Sequence, residues 1–239
     1  MPVAALCRNL ILVLLAWAFC MPLASGTARA DTSCLRMGVI FRAETVLQVK
    51  QAAQRVFDRA GLCLDLVEMP VRRGEQMVLR GGLDGEILRT ALWVEQHKED
   101  IIAVPTPFFE DHMMAISLEA RQLKIQEMND LRPYKVVIAG GHRWAEAKLA
   151  ALGIEPVKTS SASRYLELLH IGRVDVGLME ESLVALISNK QGIALQRLER
   201  LPYYTVLRRD HEALVPRLDA ALRWVRANSQ SDVRDQTSQ

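Results

Sequence analysis

The chain has 239 residues, with 30 Lys and Arg against 28 Asp and Glu, a formal net charge of +2. That balance excludes the basic surface on which nucleic-acid binding depends. The length allows one sizeable core or two small lobes.

Residues 1–30 read as a secretory signal peptide. Arg8 supplies a positive start, Leu10 to Leu23 form a nearly continuous apolar stretch, and Ala28-Arg29-Ala30 is a small-x-small cleavage site before Asp31. The apolar run is short for a membrane span, and Phe19 stands before Cys20 where a lipoprotein signal needs a small residue. Cleavage leaves 239 − 30 = 209 residues, formally neutral and without a second long apolar run, so a secreted soluble protein is expected. Cys7 and Cys20 leave with the signal. Cys34 and Cys63 remain, each opening an apolar run. If those runs are neighbouring parallel strands, both cysteines lie at one end of the sheet and a disulfide follows; two buried thiols are the alternative.

In chain order, "CLRMGVIF" (34–41) predicts a buried strand. "AETVLQVKQAAQRVFDRAG" (43–61) has apolar residues at helical spacing, with Gly61 as its stop. "LCLDLVEM" (62–69) predicts a strand, "GEQMVLRGG" (74–82) a short helix, and "DGEILRT" (84–90) and "DIIAVP" (100–105) strands. This is β-α-β-α-β, the rhythm of a parallel sheet covered by helices. "PFFEDHMMAISLE" breaks it and reads as a strand or connector between lobes. The rhythm restarts with strand 134–141, helix 143–153, strand 155–159, helix 161–172, strand 174–179 and helix 180–192. A strand at 203–209 and a helix at 212–229 close the chain. Pro216 delays or kinks that helix, and a polar, disordered tail is expected over 230–239.

One phrase occurs twice. "GGLDGEIL" (81–88) and "GRVDVGLM" (172–179) share Gly, Asp and the apolar positions, and each follows a short helix. Gly allows the turn, Asp takes backbone donors at the strand start, and the strand follows. The repeat marks the same helix-turn-strand in two successive α/β lobes.

Taken together, "AAQRVFDRAGLCLDLVEMP", "LRGGLDGEILR", "SSASRYLELLHIGRVDVGLM" and "LPYYTVLRRDHEALVPRLDAALRWV" resemble, in order and spacing, the periplasmic solute-binding proteins of the amino-acid-binding type, bacterial extracellular solute-binding family three. The resemblance covers roughly residues 34–227. It implies a two-lobed α/β fold of the type II periplasmic-binding kind, each lobe a mostly parallel sheet flanked by helices. Lobe one is expected at 31–110 plus 203–229 and lobe two at 111–202. It further implies a periplasmic protein that captures a small solute for an ABC-type permease, or an accessory module for a membrane sensor. Where the family carries an Arg–x–x–Thr pair that grips an amino-acid carboxylate, this chain has "VPTPFFEDHMMA", without an Arg.

Ligands of open α/β sheets bind beyond the carboxyl ends of the strands. That rule selects Arg42 after the first strand, Arg72 and Arg73 after the second, and Arg89 after the third. In the second lobe it selects Gly141, Arg143 and Trp144, then Ser160 and Ser161, then Glu180. Helix starts, glycines and Arg side chains suit an anion. The repeat aligns Arg89 with Glu180, a cation facing an anion, as a zwitterion or an interlobe latch would need. The five His residues show no metal spacing, so neither metal nor cofactor is expected. No hydrolase or metalloprotease motif is present, and Glu86 and Glu180 are the cleft carboxylates an enzyme on this fold would use. The expectation is a binding protein, monomeric, hinged near 107–115 and 197–204.

Overall fold

Strand β1 (Leu35–Ile40) and strand β2 (Leu64–Met69) run parallel with Leu35 opposite Leu64. The residues before those two, Cys34 and Cys63, therefore sit side by side, with Cα atoms 4.4 Å apart, and form a disulfide. The computed structural model describes residues 34–40, 46–160 and 162–236. The predicted signal peptide, Arg42 and Ser161 lie outside the described residues.

Helix α1 (Val46–Ala60) joins β1 to β2, and Gly61 ends it at φ +63°. Helix α2 (Val71–Leu79) leads to β3 (Gly85–Thr90), followed by the short helix α3 (Ala91–Gln96) and β4 (Ile101–Ala103). A long strand, β5 (Phe109–Leu118), comes next. The second run is β6 (Val136–Ala139), α4 (Arg143–Ala151), β7 (Val157–Thr159), α5 (Ala162–His170), β8 (Val176–Glu180) and the single turn α6 (Glu181–Val184). Strand β9 (Ile193–Arg208) and helix α7 (Val215–Gln236) finish the chain.

Among the described residues the strands form one sheet in the order β2-β1-β3-β9-β5-β8-β6-β7, with β4 also on β9. Read inward from either end, the order is the same: second, first and third strand of a half, then a long central strand. Each half has apolar clusters on both sheet faces. In the first, Phe57 of α1 and Leu218 and Leu222 of α7 cover one face, while Val78 and Trp93 cover the other. In the second, Trp144 and Leu149 of α4 lie on one face, and Tyr165 and Leu169 of α5 on the other.

The twin phrases occupy equivalent places. Gly81 and Gly172 both have positive φ, +76° and +65°. Asp84 Oδ2 accepts from the Arg36 amide at 2.8 Å, and the Asp84 amide donates to the Arg36 carbonyl at 2.9 Å. Asp175 repeats this with Lys135 at 2.9 and 2.8 Å. In each half an aspartate clasps the neighbouring first strand at its entry, satisfying groups that the ladder leaves open.

Several elements differ from the sequence expectation, helix α3 at Ala91–Gln96 among them, which no pattern announced. Helix α2 begins at Val71, three residues early, because Pro70 supplies an extended N-cap, φ −61° and ψ 144°. The helix predicted over 180–192 shrinks to Glu181–Val184, and the chain turns instead through Gly192, φ +71°, into β9. Strand β9 starts ten residues before the predicted 203, since its first part pairs with β5 from Leu118↔Ile193 onward. Helix α7 runs to Gln236, past residue 230, where a disordered tail is expected.

Candidate functional site

The carboxyl ends of β3 and β8 face one cavity. Its walls are Glu75, Arg89, Thr90 and Trp93 from the first half and Gly141, His142, Arg143, Trp144 and Glu180 from the second, with Tyr203 from the central strand; its volume is ≈ 90 Å³. That is space for about three waters at ~30 Å³ each, and well below the ~300 Å³ at which ligand pockets usually begin.

The first wall is built around Arg89, which is 4% exposed. Its Nε and Nη2 donate to both oxygens of Glu86, its Nη1 donates to Glu75 Oε1 at 3.2 Å, and its Nη2 donates to the Val71 carbonyl at 3.2 Å. The guanidinium also lies 4.8 Å from the centre of the Trp93 ring. Glycines make the slot for Glu86: a Cβ at Gly38 would come 2.9 Å from Glu86 Cγ, and one at Gly74 would fall on its carboxylate. Burial pushes the Glu86 carboxyl up to about 7, with the Glu75 charge adding to the rise, although Arg89 pulls the other way.

The second wall is built around Glu180, which is 3% exposed. Its Oε1 lies 3.1 Å from His142 Nε2 and accepts from the Tyr203 hydroxyl at 3.4 Å. His142 is the N-cap of α4, its Nδ1 accepting from the Ala145 amide at 3.2 Å. In the neutral ring the proton is then on Nε2, which donates to Glu180. Gly141, at φ +84°, turns the chain into that cap.

Between the walls, Arg143 Nη2 of α4 reaches Glu75 Oε2 at 2.6 Å. Arg72, exposed on α2, adds to the effect of Lys158 in holding the α4 carboxyl of Glu146 below its ordinary value. Trp93 is 4% exposed, and its Nε1–H meets no acceptor among the described residues.

Of the predicted site residues, Arg89, Gly141, Arg143, Trp144 and Glu180 line this cavity. Trp144 is packed, its ring edge-on to His142 at 6.3 Å with Lys148 Nζ 5.2 Å from its centre. Ser160 lines a separate open pocket of ≈ 550 Å³ with Gly140, Lys158, Thr159 and Arg164. Glu75, Trp93, His142 and Tyr203 are lining residues that the strand-end rule did not select. Glu75 left a signal: it stands on the face of α2 that carries Val71 and Val78, a carboxylate where an apolar residue is expected. Among the described residues no cluster of three or more His, Cys, Asp or Glu is arranged to hold a metal ion, and no helix is long and apolar enough to cross a membrane.

No protein-family profile matches the chain, and no curated protein matches its sequence. Solved structures match its fold. The ligand-binding core of GluR0 complexed with L-glutamate is 15% identical, covering 85% of this chain and 97% of that one, with a TM-score of 0.65. Holo ArgBP from T. maritima is 17% identical, covering 80% and 90%, with a TM-score of 0.60. The amino-acid ABC transporter substrate-binding protein AbpA from Streptococcus pneumoniae, bound to L-arginine, is 17% identical, covering 82% and 91%, with a TM-score of 0.61. These neighbours are binding proteins, of the type the sequence resembles. The chain therefore has the two-lobed α/β fold of the amino-acid-binding periplasmic proteins.

Proposed function

We propose that this is a periplasmic solute-binding protein whose lobes, residues 31–110 plus 203–229 and 111–202, close around a small zwitterionic or anionic solute for an ABC-type permease. The observation that carries this reading is the cavity at the carboxyl ends of β3 and β8, walled by charged side chains from both halves. Glu180 suits the cationic end of a zwitterion. The unpartnered Trp93 Nε1–H and the start of α4 at Arg143 suit its anionic end. GluR0 with L-glutamate and AbpA with L-arginine support an amino-acid-like solute. Closure bends β5 and β9 where they cross from one half to the other.

The test is thermal unfolding of the mature protein with amino acids and organic acids, followed by calorimetry. A ligand at 100 times its Kd adds about 2.7 kcal/mol, or roughly 5–11 °C for a protein of this size. Glu180→Gln should abolish the shift for a zwitterion. A second reading is an accessory module of a membrane sensor, favoured by the small cavity and by wall charges paired with one another. Absence of any solute-dependent shift would leave that second reading.

A further inference from the structure

The carboxylates of the first half are not all satisfied within that half. Glu75 and Glu86, 5% and 3% exposed, share one buried guanidinium, Arg89. Arg89 donates to both oxygens of Glu86 but only to Oε1 of Glu75, so Oε2 of a buried carboxylate is left to find a donor elsewhere. The second half supplies it. Arg143 places Nη2 2.6 Å from Glu75 Oε2, and among the described residues this is its one ion pair. The Arg143 side chain is 45% exposed. Glu75 is thus bridged by two guanidiniums, one from each half: Oε1 receives Arg89 and Oε2 receives Arg143. The cavity beside them is too small for an amino acid, and Trp93 on its wall retains its unpartnered donor.

We propose that Arg143 decides which solutes enter the cleft: its guanidinium holds the cation position on Glu75 and latches the halves together, and a ligand enters by bringing a guanidinium or ammonium group that takes that position. The ligand half of this proposal rests on the solute-binding reading; the latch does not. When Arg143 leaves, Glu75 Oε2 loses its cationic partner while Arg89 stays engaged with Glu86. Anions without a cationic group gain nothing there, because Arg143 must abandon Glu75 with no replacement.

Three forms of the mature protein test this: wild type, Arg143→Ala and Glu75→Gln. Circular dichroism verifies that each is folded. Calorimetry uses agmatine, which has a guanidinium and no carboxylate, with L-arginine and with glutarate, a dicarboxylate that has no cationic group. Small-angle scattering without ligand reports opening. Arg143→Ala should have a larger radius of gyration than wild type and bind agmatine at least tenfold more tightly. Glutarate should gain less than twofold, and Glu75→Gln should lose agmatine binding. If wild type binds a probe and Arg143→Ala changes neither its affinity nor the radius, this proposal is overturned and the solute-binding reading stands. If Arg143→Ala expands but no form binds any probe, the latch stands and the solute-binding reading is overturned. An unchanged radius with no binding overturns both.

Discussion

Glu86→Gln isolates one buried titration. The carboxyl is pushed up to about 7 in the folded protein from an ordinary 4.5, a gap of 2.5. At about 1.4 kcal/mol for each tenfold change in the protonation equilibrium, that gap is worth on the order of 3 kcal/mol. Because the folded form holds this proton more tightly, the contribution is fully present below pH 4.5 and is lost as pH rises towards 7. Urea unfolding of wild type and Glu86→Gln at half-unit steps from pH 4.5 to 8 measures it. The variant should gain on wild type by about 3 kcal/mol across that window, roughly 6–12 °C in Tm, then run parallel to it above pH 8. Taking the difference removes groups of opposite sign. Glu110, held low mainly by its hydrogen bond from Arg200, and Glu146, held low mainly by Lys158, give stability that is lost only as pH falls through their lowered values. Parallel curves across the whole window would refute the reasoning, since they would mean that Arg89 fully offsets the burial of Glu86.

Cys63→Ser should cost about 3–4 kcal/mol in urea unfolding, from reopening a loop spanning 29 residues; reducing agent should lower wild type equally and leave the variant unchanged. Asp84→Ala and Asp175→Ala should each lower stability by about 1–2 kcal/mol, since each leaves a strand-entry amide without its carboxylate acceptor; unlike losses in the two variants would count against equivalent clasps. Trp93→Phe removes the unpartnered indole donor, so its unfolding free energy should stay within ~1 kcal/mol of wild type. The same variant should weaken calorimetric binding of a carboxylate-bearing ligand at least fivefold.

The architecture was legible where local chemistry and pattern agree. The twin Gly–Asp phrases, the helix stops at Gly61 and Gly153, and the cysteines heading adjacent strands all report short-range geometry that a one-dimensional pattern preserves. Strand β9 was only partly legible. Pro202 lies inside it, paired opposite Glu110, and its alternation breaks near Leu198, both of which mask a strand to pattern reading. The strand-end rule reached Arg89, Arg143 and Glu180 because topology brings strand ends together. It did not reach Glu75, which approaches from a helix flank, or Trp93, in a helix that the sequence reading did not assign. Nor does strand order reveal that Arg89 is already held by two carboxylates. That depends on the slot left by Gly38 and Gly74, residues far apart in the chain.

The irregularity in the β5–β9 ladder also has a consequence for recombination. Met113 faces Glu199 and Met114 faces Arg197, so Leu198 has no opposite number. That extra residue changes the parity of β9. Before it, even-numbered Gln196 turns toward the α4 side of the sheet, reaching the Leu123 carbonyl; after it, odd-numbered Leu201 and Tyr203 join the same cluster. The change carries on into the first half, where Val206 and Leu207 enter the clusters on opposite faces. Removing Leu198 would restore simple alternation and, with the pairing before it kept, send the side chains after it, Leu201 and Tyr203 among them, to the wrong face. A chimaera exchanging halves through β9 must therefore inherit the same parity on both sides of its junction.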